Sequence, residues 1–247
     1  EAITQEEADA ALADVRYTND LEDAVRGADF VQECIPERLQ LKQDTYRTIQ
    51  NVTGPDTVIA SSTSAIFPSK LQEGAMYPGS IVVGHPYNPS YLLPLIEICG
   101  GEGADPTIMA KAKEIYEAMG KVPVICKKRD QRIRCKPSVL GSACIRKRVY
   151  SGRYLLRRRY RQAIMYGPGM RMAVTGQMLT MSLGVDGGFR KMAEKYGNEP
   201  SEYDEIYAQG VDEEIANRPD WQGNTVDDVC KYRDKMFVQL LKLQKLL

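Results

Sequence analysis

The chain has 247 residues, 43% of them hydrophobic and 27% charged, with 33 basic side chains against 33 acidic ones and a formal net charge of zero. That is the composition of an ordinary soluble protein, long enough for two domains with ample core. No apolar run approaches the roughly 18 residues of a membrane span, and the six cysteines (Cys34, Cys99, Cys126, Cys135, Cys144 and Cys230) show no C-x-x-C spacing, so neither disulfides nor a zinc site is expected. Cys34, Cys99 and Cys126 sit in apolar strand-like runs, where a buried thiol is the usual outcome. The absence of a charged-then-apolar leader points to a cytosolic or organelle-matrix protein, and Glu1 in place of Met points to a fragment or a processed product.

In chain order, QEEADAALAD (5–14) predicts a helix, and Asp20 to Asp23 opens a second, short one that Gly27 stops. ADFVQECIPE (28–37) reads as an apolar strand that ends at Pro36 and feeds a helix running to about Asn51. Strand DTVIASST (56–63), a short helix from Pro68 and strand SIVVGHPY (80–87) follow, and then strand LIEICGG. The next helix is marked at both ends: Asp105 caps it, Pro106 takes its first position, Gly120 stops it, and Ile108, Ala112, Ile115, Tyr116 and Met119 share a face. Strand KVPVICK closes the run at 127. Near-continuous apolar strands alternating with helices predict a doubly wound α/β sheet. From 162 onward YGPGMRMAVTGQMLTM, GGFRKMAEKYG and VDDVCKYRDKMFVQLLKLQKLL predict helices, the last offering Val229, Met236, Leu240, Leu241 and Leu243 for packing.

The stretch IVVGHPYNPSYLLPLIEICGG (81–101) holds the single histidine, His85, at the end of one apolar run, and a lone carboxylate, Glu97, inside the next. An imidazole takes and returns a proton near neutral pH, and a carboxylate fixes its tautomer and stabilises the imidazolium. These residues alone leave open a core histidine satisfied by backbone.

SSTSAI (61–66) followed by GHPYNPSYLLPLIEICGG resembles the 3-hydroxyacyl-CoA dehydrogenase family. The tyrosine of HPYNP, the SYLLPL segment and the later YGPGMR are most similar to the branch containing carnitine dehydrogenase and L-gulonate 3-dehydrogenase (lambda-crystallin). The resemblance covers about residues 21–127 and 162–247. It implies a Rossmann-like NAD-binding domain over 1–127 and an all-α C-terminal domain over 128–247 that covers the substrate cleft and makes a homodimer. It also implies an NAD-dependent dehydrogenase of fatty acid metabolism, cytoplasmic and without a metal. The substrate would be a 3-hydroxyacyl-CoA or a small carnitine- or gulonate-like 3-hydroxy acid. His85 would remove the hydroxyl proton as hydride leaves for NAD, Glu97 would orient the imidazole, and Ser64 would hydrogen-bond the substrate oxygen beside the nicotinamide. Glu37, Lys42 and Asn88 would contact the cofactor. Each has a plainer reading: Glu37 after Pro36 favours a helix N-terminus, Lys42 fits a solvated face, and Ser64 and Asn88 fit turns.

Two features depart from the family pattern. No G-x-G-x-x-G follows a strand near the start, so the chain is expected to enter the sheet after its first βα unit. Residues 129–161 carry twelve Lys or Arg and one acid, Asp130, which leaves 21 bases against 32 acids elsewhere. In the family a Pro-Gly-Phe-x-x-Asn-Arg type motif and a long helix stand here, and the Asn completes the catalytic site. This chain has RDQRIRCKPSVLGSACIRKRVYSGRYLLRRRYR, with Cys135 where the Asn falls and no sustained helical apolar face. Back-translating Gln131 to Ser138 as CAG CGG ATT CGT TGC AAA CCG TCT and reading one base later gives Ser-Gly-Phe-Val-Ala-Asn-Arg, so a frameshift accounts for the segment. A nucleic-acid patch is the less economical reading, and a catalytically inactive or crystallin-like structural protein is the rival to the enzyme. The expectation is that limited proteolysis cuts between Arg129 and Arg161 before touching the sheet; a segment that resists cleavage would refute the frameshift.

Overall fold

The computed structural model describes residues 3–126 and 157–247, which divide into two compact units. One contains the chain up to Pro86 and again from Leu95 through the last strand; the other combines Tyr87–Pro94 with Arg161–Leu247. Most of the basic segment, including Cys135 at the position of the family's Asn, lies outside the described residues. Its final residues do not: a helix is formed from Arg157 to Tyr166, although the segment lacks a sustained helical apolar face.

The first unit opens with α1 (Gln5–Ala13) and α2 (Leu21–Val25). A five-stranded sheet follows, in the order β1 (Phe30–Glu33), β2 (Val58–Ser61), β3 (Ile81–Pro86), β4 (Leu95–Cys99) and β5 (Val122–Ile125). Helices α3 (Leu39–Val52), α4 (Pro68–Gln72) and α5 (Pro106–Ala118) lie between strands β1 and β2, β2 and β3, and β4 and β5. Each of the links holding α3 and α5 is long enough for a crossover, and those strand pairs are parallel. The β3–β4 link, Tyr87–Pro94, is too short to carry the chain back along the sheet. β4 therefore pairs antiparallel with β3, the one reversal in an otherwise parallel set.

Strand alternation sends successive side chains to opposite faces. Ile59, Ile81 and Val83 meet Tyr46 and Ile49 of α3 and Leu71 of α4 on one side. Val58, Ala60, Val82, Ile96 and Ile98 meet Ile108, Ala112 and Tyr116 of α5 on the other. The four-residue spacing of that α5 triad gives one helical stripe, and its start is fixed by the Asp105 carboxylate accepting from the Thr107 amide at 2.7 Å. Met119, expected on the same face, is the C-cap residue and is exposed.

Two cysteine expectations are corrected. Cys34 is exposed, since β1 ends one residue earlier. Cys99 and Cys126 are joined as a disulfide with a Cα–Cα distance of 5.1 Å. They follow the paired residues Ile98 and Ile125, so parallel register brings together two thiols 27 residues apart in sequence.

The second unit is helical: α6 (Arg157–Tyr166), which enters it at Arg161, leads into α7 (Pro168–Thr175), α8 (Gln177–Ser182), α9 (Met192–Tyr196), α10 (Glu202–Ala216) and α11 (Val226–Leu243). Leu179, Phe189, Ala208, Val211, Ile215 and Val229 form its core. On α11, Val229 and Leu241 are buried as expected, whereas Leu243 is exposed at the fraying end and Phe237 is buried in its place.

Gly84 on β3 lies so close to α5 that an added Cβ would collide with the Tyr116 hydroxyl and meet Ala60 Cβ at 3.1 Å. Gly84→Ala is expected to destabilise the fold by about 1–3 kcal/mol through overpacking, read as a lower urea midpoint; an unchanged midpoint would show that α5 yields freely.

Candidate active site

The antiparallel register sets His85 directly opposite Glu97. Side chains opposed in this way share a sheet face with Cβ atoms about 5 Å apart, and here His85 Nδ1 and Glu97 Oε2 stand 3.0 Å apart. Glu97 is 2% exposed, so the carboxylate is inside while the imidazole rim reaches solvent. A carboxylate only accepts, so Nδ1–H is the donor, and in the neutral form of the ring Nε2 is then the acceptor. Ser64 Oγ lies 3.1 Å from that Nε2. Glu97, His85 and Ser64 thus form a line in which each group sets the orientation of the next.

Ser64 sits on the loop after β2, and Glu37 holds that loop. Its Oε1 accepts from Thr63 Oγ1 at 2.5 Å, from the Ser64 amide at 3.1 Å and from the Ala65 amide at 2.8 Å. The Glu37 carboxylate is therefore engaged by the loop, in a role beyond the helix-N-terminus reading. Lys42 does not have the solvated placement of the plainer reading: its side chain is 1% exposed, and its ammonium donates to Glu33 Oε1 at 2.7 Å and to the Ile35 carbonyl at 3.1 Å, with Glu37 Oε2 at 3.6 Å. The physical reason is Glu33, a carboxylate at the inner end of β1 that needs a compensating cation.

Sequence reading missed Glu33. Besides Lys42 it accepts from Tyr46 Oη at 2.5 Å, Ser61 Oγ at 2.6 Å and the Ile35 amide at 2.8 Å. Burial first, and then the Glu33 carboxylate, push the Tyr46 hydroxyl well above its usual range, so it remains a donor. A signal existed in FVQECIPE: a lone acid within an apolar strand, followed nine residues later by a lysine on α3.

Asn88 belongs to the second unit, where its carbonyl accepts from Arg171 Nη1 at 3.4 Å. His85, Glu97, Ser64, Glu37 and Lys42 are thus brought together in one network, and Asn88 is described apart from it. The network lies at the carboxyl ends of β1, β2 and β3, the edge where open α/β sheets receive dinucleotides.

Replacing Lys42 by Met should strand the Glu33 charge in the core and cost about 3–5 kcal/mol of stability, measured by denaturant unfolding. A loss below ~1 kcal/mol, the scale of an exposed pair, would mean that Glu33 does not depend on this partner.

Comparison with known proteins bears on this network. A family profile described as 3-hydroxyacyl-CoA dehydrogenase, NAD binding domain, matches residues 1–129. The chain is similar to L-carnitine dehydrogenase of Pseudomonas putida, at 32% identity over 94% of this chain and 74% of that protein. It is similar to L-carnitine dehydrogenase of Streptomyces coelicolor, at 34% identity over 91% of this chain and 73% of that protein. Among solved structures it is similar to 5-formyl-3-hydroxy-2-methylpyridine 4-carboxylic acid 5-dehydrogenase, an NAD+-dependent dismutase, with 26% identity, a TM-score of 0.57, and coverage of 93% of this chain and 78% of that one.

Proposed function

The chain belongs to the 3-hydroxyacyl-CoA dehydrogenase family, and from that premise we propose that Glu97, His85 and Ser64 are the groups through which it oxidises a secondary 3-hydroxyl. The chain is an NAD-dependent oxidoreductase. The observation that carries the assignment of residues is the pair of contacts on one imidazole, Glu97 at Nδ1 and Ser64 at Nε2.

NAD, when bound, supplies the hydride acceptor. The chain's own residues handle the proton. With Nδ1–H directed at Glu97, His85 Nε2 accepts the hydroxyl proton as hydride departs from the same carbon, and the imidazolium formed is balanced by the Glu97 carboxylate at 3.0 Å. Ser64 Oγ, next to Nε2, holds the substrate oxygen within reach of that nitrogen and keeps a hydrogen bond to it as it becomes a carbonyl. Glu37 keeps Ser64 in place by gripping three donors of residues 63–65. Lys42 acts at one remove, through Glu37, and Asn88 is assigned to the nicotinamide end on the family pattern. The substrate proposed is a small 3-hydroxy acid of the carnitine kind, in keeping with the relatives at 32–34% identity. A cytoplasmic location, a role in fatty acid metabolism, and a homodimer made through the helical domain expected over 128–247 complete the proposal; they rest on family resemblance. No described helix is long and apolar enough to cross a membrane.

The test is steady-state NADH formation with L-carnitine and with 3-hydroxybutyryl-CoA. His85→Gln is expected to lower kcat by roughly 10²-fold or more with NAD affinity nearly unchanged. Parallel loss of NAD binding would assign His85 a structural role instead. Glu97→Gln keeps the shape and removes the balancing charge, so kcat should fall while KM holds; a variant that changes only KM would remove Glu97 from the proton path.

A further inference from the structure

Gln32 stands exposed near the end of β1 and takes no part in the proton path described above, yet its carboxamide reaches three other elements of the first unit. Nε2 donates to the Ala60 carbonyl of β2 at 3.1 Å, to the Ser62 hydroxyl just beyond β2 at 2.8 Å and to the Gly84 carbonyl of β3 at 3.2 Å. Oε1 accepts from the Tyr116 hydroxyl of α5 at 2.5 Å. The Gly84 carbonyl is half of the peptide group that joins Gly84 to His85. We propose that Gln32 is a positioning residue for His85, acting through the Gly84–His85 peptide to keep the imidazole against Glu97.

The need for such a residue lies in Gly84. A glycine within a strand has the widest backbone freedom of any residue and no side chain to pack, and this one immediately precedes the proposed base. A larger residue is excluded, because the Tyr116 hydroxyl occupies the space that a Cβ would take. Tyr116 and Gln32 together fill the side that Gly84 leaves empty. Chemistry fixes which way the carboxamide points. Backbone carbonyls only accept, so the amide nitrogen faces Ala60 and Gly84, and Oε1 is left for the Tyr116 hydroxyl. Burial first, and then Cys34, push that hydroxyl above its usual range, so it stays a donor. Gln32 lies on the α5 face of the sheet with Phe30, Ala60 and Tyr116, whereas His85 follows Val83 on the α3 face. It therefore cannot touch the imidazole, and its influence runs through the backbone of β3. This proposal rests on the reading of His85 as the base and deepens it by naming what steadies the strand that carries it.

Gln32→Met keeps the length of the side chain and removes its donors and its acceptor. Because the chain has one histidine, NMR of the full chain can follow the Nδ1–H proton of His85 with neither NAD nor substrate present. In Gln32→Met that proton is expected to exchange with solvent at least ~10-fold faster, as its hydrogen bond to Glu97 opens more often. In NADH formation kcat should fall roughly 10-fold, short of the ~10²-fold that a 1 Å misplacement costs, with KM unchanged. In a Glu97→Gln background the same substitution should lower kcat less than about threefold, because the contact it protects is already weakened. Tyr116→Phe frees Oε1 and leaves the Nε2 contacts, so it should give a smaller change in the same direction; it supplies the reading if Gln32→Met fails to fold. Unchanged Nδ1–H exchange in a folded Gln32→Met chain overturns the proposal, as does a change confined to KM or a loss undiminished by Glu97→Gln. Faster exchange in Gln32→Met, in a chain whose wild type forms no NADH, would fault the dehydrogenase assignment of His85 and leave the positioning role standing. Turnover that depends on His85, with exchange indifferent to Gln32, would do the reverse.

Discussion

Glu33 is the constraint around which the first unit is arranged. A carboxylate in a sheet interior has to be met by donors, and the four that meet it come from three places: the amide of Ile35 just beyond β1, Lys42 and Tyr46 on α3, and Ser61 at the end of β2. Buried charge of this kind adds little net stability over a well-packed apolar cluster, but it punishes every arrangement in which a partner is missing. It therefore fixes the rotation of α3 against two strands more sharply than Tyr46 and Ile49 would by packing alone. Through Lys42 the same constraint reaches Glu37, and through Glu37 it reaches the backbone that presents Ser64.

The second constraint is the reversal at β4. In a wholly parallel sheet, a group at the end of one strand faces the end of its neighbour. Turning β4 round allows the middle of a strand to stand opposite the end of β3, so Glu97 stays inside while His85 is at the rim. The carboxylate is buried within the sheet, and the imidazole it steadies remains partly exposed.

Much of this was legible in the sequence because the relevant signals are local. The cap and stop of α5 at Asp105 and Gly120, the apolar runs of β2, β3 and β4, and the His85/Glu97 pair on consecutive strands each follow from residues a few positions apart. What stayed hidden depends on pairing at a distance. Cys99 and Cys126 become neighbours only once β5 settles parallel to β4, and Lys42 reads as a surface lysine until Glu33 is known to need it. Met119 and Leu243 satisfied the helical period yet fall at helix ends, where there is nothing to pack against. Periodicity gives a face; it does not say how far along the helix that face is covered.

The link Tyr87–Pro94 is bounded on both sides by strands of the sheet yet groups with the helical unit. Tyr91 finds its partners Asp234 and Arg233 more than 140 residues later, at separations of 143 and 142. During synthesis the sheet strands emerge long before α11, so the loop of the hairpin that carries His85 gains its Tyr91 contacts only after more than 140 further residues. A chain stopped short of Arg233 would carry His85 and Glu97 on strands joined by a loop that still lacks its Tyr91 tether.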